Sequence, residues 1–458
     1  MTGTLEANKS VGRRVFTGKV VGSEGCAGMR RALPLSGYAL GLLLACSGLG
    51  AQTVPQATDL PSRPFFIKTT WYIGGAGNWD YLTMDPQADR LYIAHGTQMQ
   101  VVDVETGSLA GALDGFYEVR QIVLDDTGQL GFISDGGQGK VAIFDRQTLK
   151  KVTEIEVGAN PRSMVYDPLT RLLFVVRANP PPEGANTPAG RGRTASREAQ
   201  PGASAAAATP AETHSVVTVI DTQAQAAIGE IEMPGLLGYA VGDSTGEVFV
   251  GVTDRNAVYR LDAQEVATLM HASTVQGGAT PAAGAKKEPA PWVALDWVGD
   301  ARRGNAAQEH VRILPLGPDC TNPAGLALDS AHLRLFAACV NRRLVVLNTG
   351  TGERVTSLPI GPGVEAVGYD SERGLIFTAN GAAEGSVTII RQDVTDSYAV
   401  IQTLPTRQRA STLAVNPASG AVYLVTDYLG VDLNKPGGIG TLETVPVTGS
   451  FQVLTVGN

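Results

Sequence analysis

Seven times along the chain, an apolar alternation runs into an Asp or Asn, and a short apolar run carrying an aromatic follows. The turn residues are Asp85, Asp125, Asp167, Asp243, Asp329, Asp370 and Asn416. The aromatics are Tyr92, Phe132, Phe174, Phe249, Phe336, Phe377 and Tyr423. Their offset is seven residues in every copy but one, where Phe249 follows Asp243 by six. Ahead of the turn, alternate positions are apolar: Leu82/Met84, Ile122/Leu124, Met164/Tyr166, Leu326/Leu328, Val367/Tyr369 and Leu413/Val415. Ala240/Gly242 is the weak copy. A period of two marks strands with one face buried. Asp85-Pro86 and Asp125-Asp126-Thr127-Gly128 supply residues that close a tight turn between two strands.

A third strand follows in most copies, as in Val101 to Val104, Val141 to Asp145, Val217 to Asp221, Val258 to Asp262 and Val345 to Asn348. A fourth ends on an apolar-Gly pair, at Val157-Gly158, Leu316-Gly317 and Ile360-Gly361. Four strands in roughly 40–45 residues is the spacing of a propeller blade. The pattern therefore predicts an all-β chain: a seven-bladed β-propeller of four-stranded antiparallel blades. Trp71 to Gly74 reads as a fourth strand lying ahead of the first repeat, whereas the last repeat stops at a third, Phe451 to Val456. An N-terminal strand that completes the last blade would close the ring and protect both sheet edges.

The rhythm breaks twice. Asp167 to Asp243 is stretched by Pro180 to Thr213, rich in Pro, Gly, Ala and Arg. Asp243 to Asp329 is stretched by a second biased segment that includes Gly277 to Pro291. Such compositions do not build a core. The domain plan is thus an export segment at 1–51, a linker at 52–64 and one propeller at 65–458, with low-complexity inserts near 180–213 and 268–310. A degenerate eighth blade around Trp292 to Trp297 is the alternative, but no aromatic-bearing second strand follows it.

Composition agrees with many short strands: 55 Gly, 6% aromatic and 17% charged residues in a chain of 458. Net charge is −8, and the first 51 residues hold six Lys/Arg against two Asp/Glu, so the remainder carries about −12. An acidic body gains nothing from counterion release, and nucleic acid is not an expected partner.

Met29-Arg30-Arg31, the apolar run Leu35 to Ala45 and the small residues Ser47 to Ala51 have the layout of a secretory signal, with Met29 as the inferred start. The run is too short for a membrane span, which needs about 20 residues. Leu43-Leu44-Ala45-Cys46 also resembles a lipobox. Two readings stand: a lipidated, membrane-anchored Cys46, or a cysteine removed with the signal. Either way the mature chain is expected to be exported, periplasmic or extracellular, and monomeric. Cys320 and Cys339 then remain, flanking one hairpin. In an oxidising compartment a disulfide is favoured over two thiols or a metal pair.

Gly242-Asp243-Ser244-Thr245-Gly246 matches the nucleophile-elbow pattern, yet that elbow needs a strand, a sharp turn and then a helix. Here Asp243 is the repeated turn residue and a strand, Val248 to Val250, follows. His95, His214, His271, His310 and His332 show no zinc-site spacing, and no cofactor motif occurs.

The repeat columns offer one candidate site. Five residues before the turn stand Asp80, Arg120, Arg162, Gly238, Ala324, Glu365 and Ser411. Seven before it stand Asn78, Glu118, Asn160, Leu236, Asn322, Gly363 and Arg409. At the start of the innermost strands, these would gather around one mouth of the central channel, where propeller loops converge. Arg120, Arg162 and Arg409 could grip a small anion, and Asp80 with Glu365 a cation. A self-satisfied ion network closing the channel is the plainer alternative.

Leu91-Tyr92-Ile93-Ala94, Val422 to Val425 and Val217-Thr218-Val219-Ile220-Asp221-Thr222 resemble the strand motifs of YVTN-type bacterial propellers. Cys320-Thr321-Asn322-Pro323-Ala324-Gly325-Leu326-Ala327 with Cys339, and Gly449 to Leu454, are similar to the exported YncE-like members. The resemblance runs from about Phe65 to Asn458, apart from the inserts. It implies a seven-bladed periplasmic or extracellular fold and little chemistry.

Two functions follow as expectations. The first is a binding or scaffold protein that presents a rigid disc and a polar channel mouth to a small anionic ligand or a protein partner. The second is a calcium-dependent, lactonase-like hydrolase with its cation held by Asp80, Glu365, Asn160 and Asn322. Neighbouring arginines would repel that cation and no His is placed as a base, so binding leads.

Overall fold

A computed structural model of the chain describes residues 63–177, 213–276, 311–393, 396–431 and 444–458. Within them the seven repeats form seven four-stranded antiparallel sheets. Blades 1 to 6 span residues 79–114, 119–156, 161–234, 237–315, 323–359 and 364–405. Their first strands lie side by side in order, and the first strand of blade 7 returns to the first strand of blade 1. The ring is closed.

Blade 7 takes its first three strands from Leu413–Asn416, Ala421–Thr426 and Gln452–Gly457, and its fourth from the N-terminal Phe66–Tyr72. Phe66 pairs with Gly457 and Tyr72 with Gln452. The predicted clasp is therefore present. Its start is also tied to blade 6: the Phe65 N–H donates to Gln402 Oε1, and Gln402 Nε2 donates to the Phe65 carbonyl, each at 2.8 Å.

The apolar alternation becomes one buried cluster at each of the seven blade–blade interfaces. Every aromatic of the repeat column is at most 3% exposed there. The turn column has an equally local cause. The Asp or Asn oxygen accepts backbone N–H groups two to five residues on, as Asp85 does from Gln87 and Ala88, and Asn416 from Ala418 and Ser419. Asp243 does the same for Thr245 and Glu247, and the strand Glu247–Val252 follows it. The elbow-like sequence is a turn of this kind.

Cys320 and Cys339 form a disulfide with Cα atoms 5.3 Å apart. Pairing counted back from the hairpin turn without interruption would set Cys339 opposite Ala324. In the structure its partner is Pro323, because Ala324 lies in a bulge.

Two features have no counterpart in the sequence pattern: a two-stranded ribbon pairing Leu429–Val431 with Thr444–Pro446 in blade 7, and a 14-residue helix, Ala263–Gln276, after the third strand of blade 4. Asp262 Oδ1 accepts the Gln264 and Glu265 N–H groups and caps it. Val266 and Met270 are buried against blades 3 and 4. The helix occupies residues 268–276, where a low-complexity insert was expected to begin. The export segment with Cys46, the first insert up to 212, and residues 277–310 with the eighth-blade candidate lie outside the described residues. Among the described residues, no helix is long and apolar enough to cross a membrane.

Candidate binding site

In blades 1 to 6 the first strand gains one residue over its partner at the same place. The slips fall between Trp79 and Leu82, Val119 and Ile122, Pro161 and Ser163, Leu237 and Ala240, Pro323 and Gly325, and Val364 and Ala366. Each bulge contains the residue five before the turn: Asp80, Arg120, Arg162, Gly238, Ala324 or Glu365. Strict alternation would place these residues on the apolar face beside Leu82 and its equivalents. A bulge breaks that phase and re-aims the side chain, which is how charged residues stand in an otherwise apolar column.

Five of the six bulge residues line one cavity of 470 Å³ at the face where the first strands begin: Asp80, Arg162, Gly238, Ala324 and Glu365. Asn322, Leu236 and Val340 line it as well. Leu236 and Val340, at 37% and 45% exposure, form an apolar lip on blades 4 and 5. The Tyr81 and Tyr239 rings, from blades 1 and 4, meet at 4.5 Å in its lining. Burial first, and the nearby charge of Asp80 second, push the Tyr239 hydroxyl up to about 12.

Side chains also bind one inner strand to the next. Gln121 Oε1 accepts the Met164 N–H at 2.6 Å, Ser163 Oγ accepts the Ala240 N–H at 3.0 Å, and Thr83 Oγ1 donates to the Ile122 carbonyl at 2.6 Å. Backbone groups on the channel side of an innermost strand have no further strand to pair with, so such bonds satisfy them. Tyr81, Gln121, Ser163 and Tyr239 all stand four residues before the turn. That column was equally legible in the sequence and was missed.

The remaining candidates divide. Arg120 pairs with Asp80 at 3.3 Å and Glu118 at 2.7 Å. Arg409 pairs with Asp427 at 2.7 Å, donates to Asn78 Oδ1 at 3.1 Å and covers the Trp79 ring at 4.4 Å. For these two the ion-network reading describes what they do, and neither lines the cavity. Asn160, Asn322 and Arg409, all seven before the turn, hold φ of 54°, 53° and 70°, and Gly363 holds 73°. In these four copies the position is left-handed, which Gly and Asn accept most readily, whereas Asn78, Glu118 and Leu236 of the same column are not. Asn160 is explained by its backbone and does not line the cavity. Asn322 lines it, with its N–H donated to Asn256 Oδ1 at 2.9 Å.

The expected four-oxygen cation set is thus not assembled: Asp80, Asn322 and Glu365 share the cavity with Arg162, and Asn160 is elsewhere. Among the described residues, no group of three or more His, Cys, Asp or Glu is placed to hold a metal ion.

No family model and no curated protein matches the chain. Solved structures do. A chain in the crystal structure of a mitotic checkpoint complex is similar at 13% identity and a TM-score of 0.54, covering 85% of this chain and 96% of its own. The RRP9 WD40 repeats are similar at 9% identity and 0.54, covering 84% and 96%. Likeness at such identity concerns the propeller fold alone.

Proposed function

We propose that this protein is an exported binding module that presents its channel-mouth cavity to a protein partner. The observation that carries the reading is that five bulge residues, from blades 1, 3, 4, 5 and 6, converge on one cavity with an apolar lip. A concave surface of mixed polarity on a rigid ring is a common form of binding site. A neighbouring fold that occurs within a named complex is consistent with a partner-binding disc. The signal-like segment and the buried disulfide support export, because disulfides persist in oxidising compartments. The YVTN-type strand motifs support the same placement.

Ala324→Trp, which fills the cavity, tests this reading. Captured from the source envelope with wild-type and variant bait, a genuine partner is enriched by the wild type and lost with the variant. Equal capture by both removes the cavity from the function. Export is tested by the N-terminus of the mature protein. A start between residues 46 and 52 is expected, and a chain retaining Met29 inside the cell contradicts it.

A further inference from the structure

We infer that blade 7 carries a second contact site, which takes an acidic side chain of a protein partner and seats an apolar neighbour of that residue on Val447. The site is built from Tyr72, Arg407, Tyr428, Val447 and Gln452, and it stands apart from the cavity reading. The ribbon that follows Tyr428 joins the second and third strands of blade 7 at the face where the first strands begin. Tyr72 ends the clasp strand there, paired with Gln452. Arg407 lies in the connection from blade 6 to blade 7. The sequence columns pointed to an anion held by Arg120, Arg162 and Arg409. Arg120 and Arg409 are engaged with carboxylates, whereas Arg407, outside those columns, forms no ion pair among the described residues.

Tyr72, Tyr428 and Val447 are 65%, 38% and 45% exposed. Gly430, beside Val447, has no side chain to cover it. The backbone of Tyr428 is pinned: its N–H donates to Ser450 Oγ at 2.9 Å, and its carbonyl accepts the Val447 N–H at 2.8 Å. The half-buried Arg407 guanidinium lies over the Tyr428 ring, 4.7 Å from its centroid. A guanidinium stacked in this way keeps its N–H edge for a carboxylate. Gln452 is fully buried, yet neither atom of its amide makes a hydrogen bond of ordinary geometry among the described residues. Such orphaned groups are rare, and this one faces the Tyr428 hydroxyl. Tyr72 first, then Arg407 and Gln452, direct donors at that hydroxyl oxygen and hold its pKa below the ordinary value. The Tyr428 proton is thereby left for an acceptor outside the chain. On a net acidic protein this is a local cationic, donor-rich spot, complementary to an acidic side chain. Tyr and Arg are also the residue types that most often dominate interface energetics.

The test is selection of a displayed random heptapeptide library on the whole protein, and in parallel on R407Q, V447S and the filled-cavity A324W. Wild type should enrich Asp or Glu beside Leu, Ile, Val or Phe. R407Q should lose the acidic preference and V447S the apolar one, while A324W keeps both. In a synthesised winner, exchanging the acidic residue for its amide should weaken binding to wild type by about tenfold, and added salt should weaken the acidic form. Should R407Q fail to fold, that exchange decides, together with Y428F, which should weaken binding by about threefold or more. Acidic peptides held equally by R407Q, enrichment of basic peptides, or no enrichment would each overturn the site. Peptides lost with A324W but kept by R407Q would overturn it while leaving the cavity reading in place. Peptides lost with R407Q but kept by A324W support it whatever becomes of the cavity.

Discussion

At Gly325 a side chain has no room, because a Cβ would lie 2.7 Å from the Glu365 carbonyl and 3.1 Å from Ala366 Cα. The obstacle is backbone, so it cannot swing aside. Gly325→Ala should therefore force the blade 6 strand outward, lower stability by about 1–3 kcal/mol and shift Glu365. Urea unfolding measures the first effect, and an unchanged midpoint would contradict the packing argument. His95 is a second informative residue. It is 1% exposed, its Nδ1 lies 2.8 Å from Gln100 Oε1, and burial pulls its pKa below the ordinary value. The unfolded chain then binds a proton more readily than the fold. His95 contributes stability above the ordinary value near 6.5, and this is lost as pH falls through its lower folded value. His95→Gln should flatten the fall in melting temperature between about pH 7 and 5. Asp427, raised by burial, titrates with the opposite sign in a more acidic window. At this scale the sequence showed which positions were unusual but not why. The two columns before the turn looked alike; one is a bulge that re-aims side chains, and the other is a left-handed backbone position in four copies, Asn160, Asn322, Gly363 and Arg409.

Strands and their turns were legible because each is determined locally, by a period of two and by an Asp or Asn that binds the next backbone amides. The helix Ala263–Gln276 was not. Its buried positions, Val266 and Met270, are few, and Gly229 in blade 3 makes room for Met270, a fact remote in sequence. Bulges were also invisible, since one extra residue shows only when two paired strands are compared. The disulfide lies where these elements meet the site: Asn322, Pro323 and Ala324 follow Cys320 closely, and Val340 follows Cys339. Replacing both cysteines with serine should lower stability by about 2–4 kcal/mol and weaken partner binding, while the far-ultraviolet spectrum stays that of a folded propeller. Retention of full affinity would show that the cavity wall stands without the bridge.

The whole molecule depends on a strand contributed from the other end of the chain. Removal of residues 1–73 deletes the fourth strand of blade 7 and the tie to Gln402, and exposes the edge of Gln452–Gly457. Such a chain should lose its single cooperative unfolding transition and aggregate, as light scattering would show; a soluble monomer unfolding like wild type would contradict the role of the clasp. Ring closure was readable because the sequence has a strand too many at its start and one too few at its end. Ligand choice was not readable, because it depends on which arginines are engaged by carboxylates brought together only by folding. The central claim is that binding occurs where the first strands begin. Hydrogen–deuterium exchange with and without the captured protein partner tests it most directly. Protection is expected at 236–239, 322–324 and 363–365, with the turns at Asp85, Asp125 and Asp329 unchanged. Protection confined to those turns or to the outer strands would contradict it.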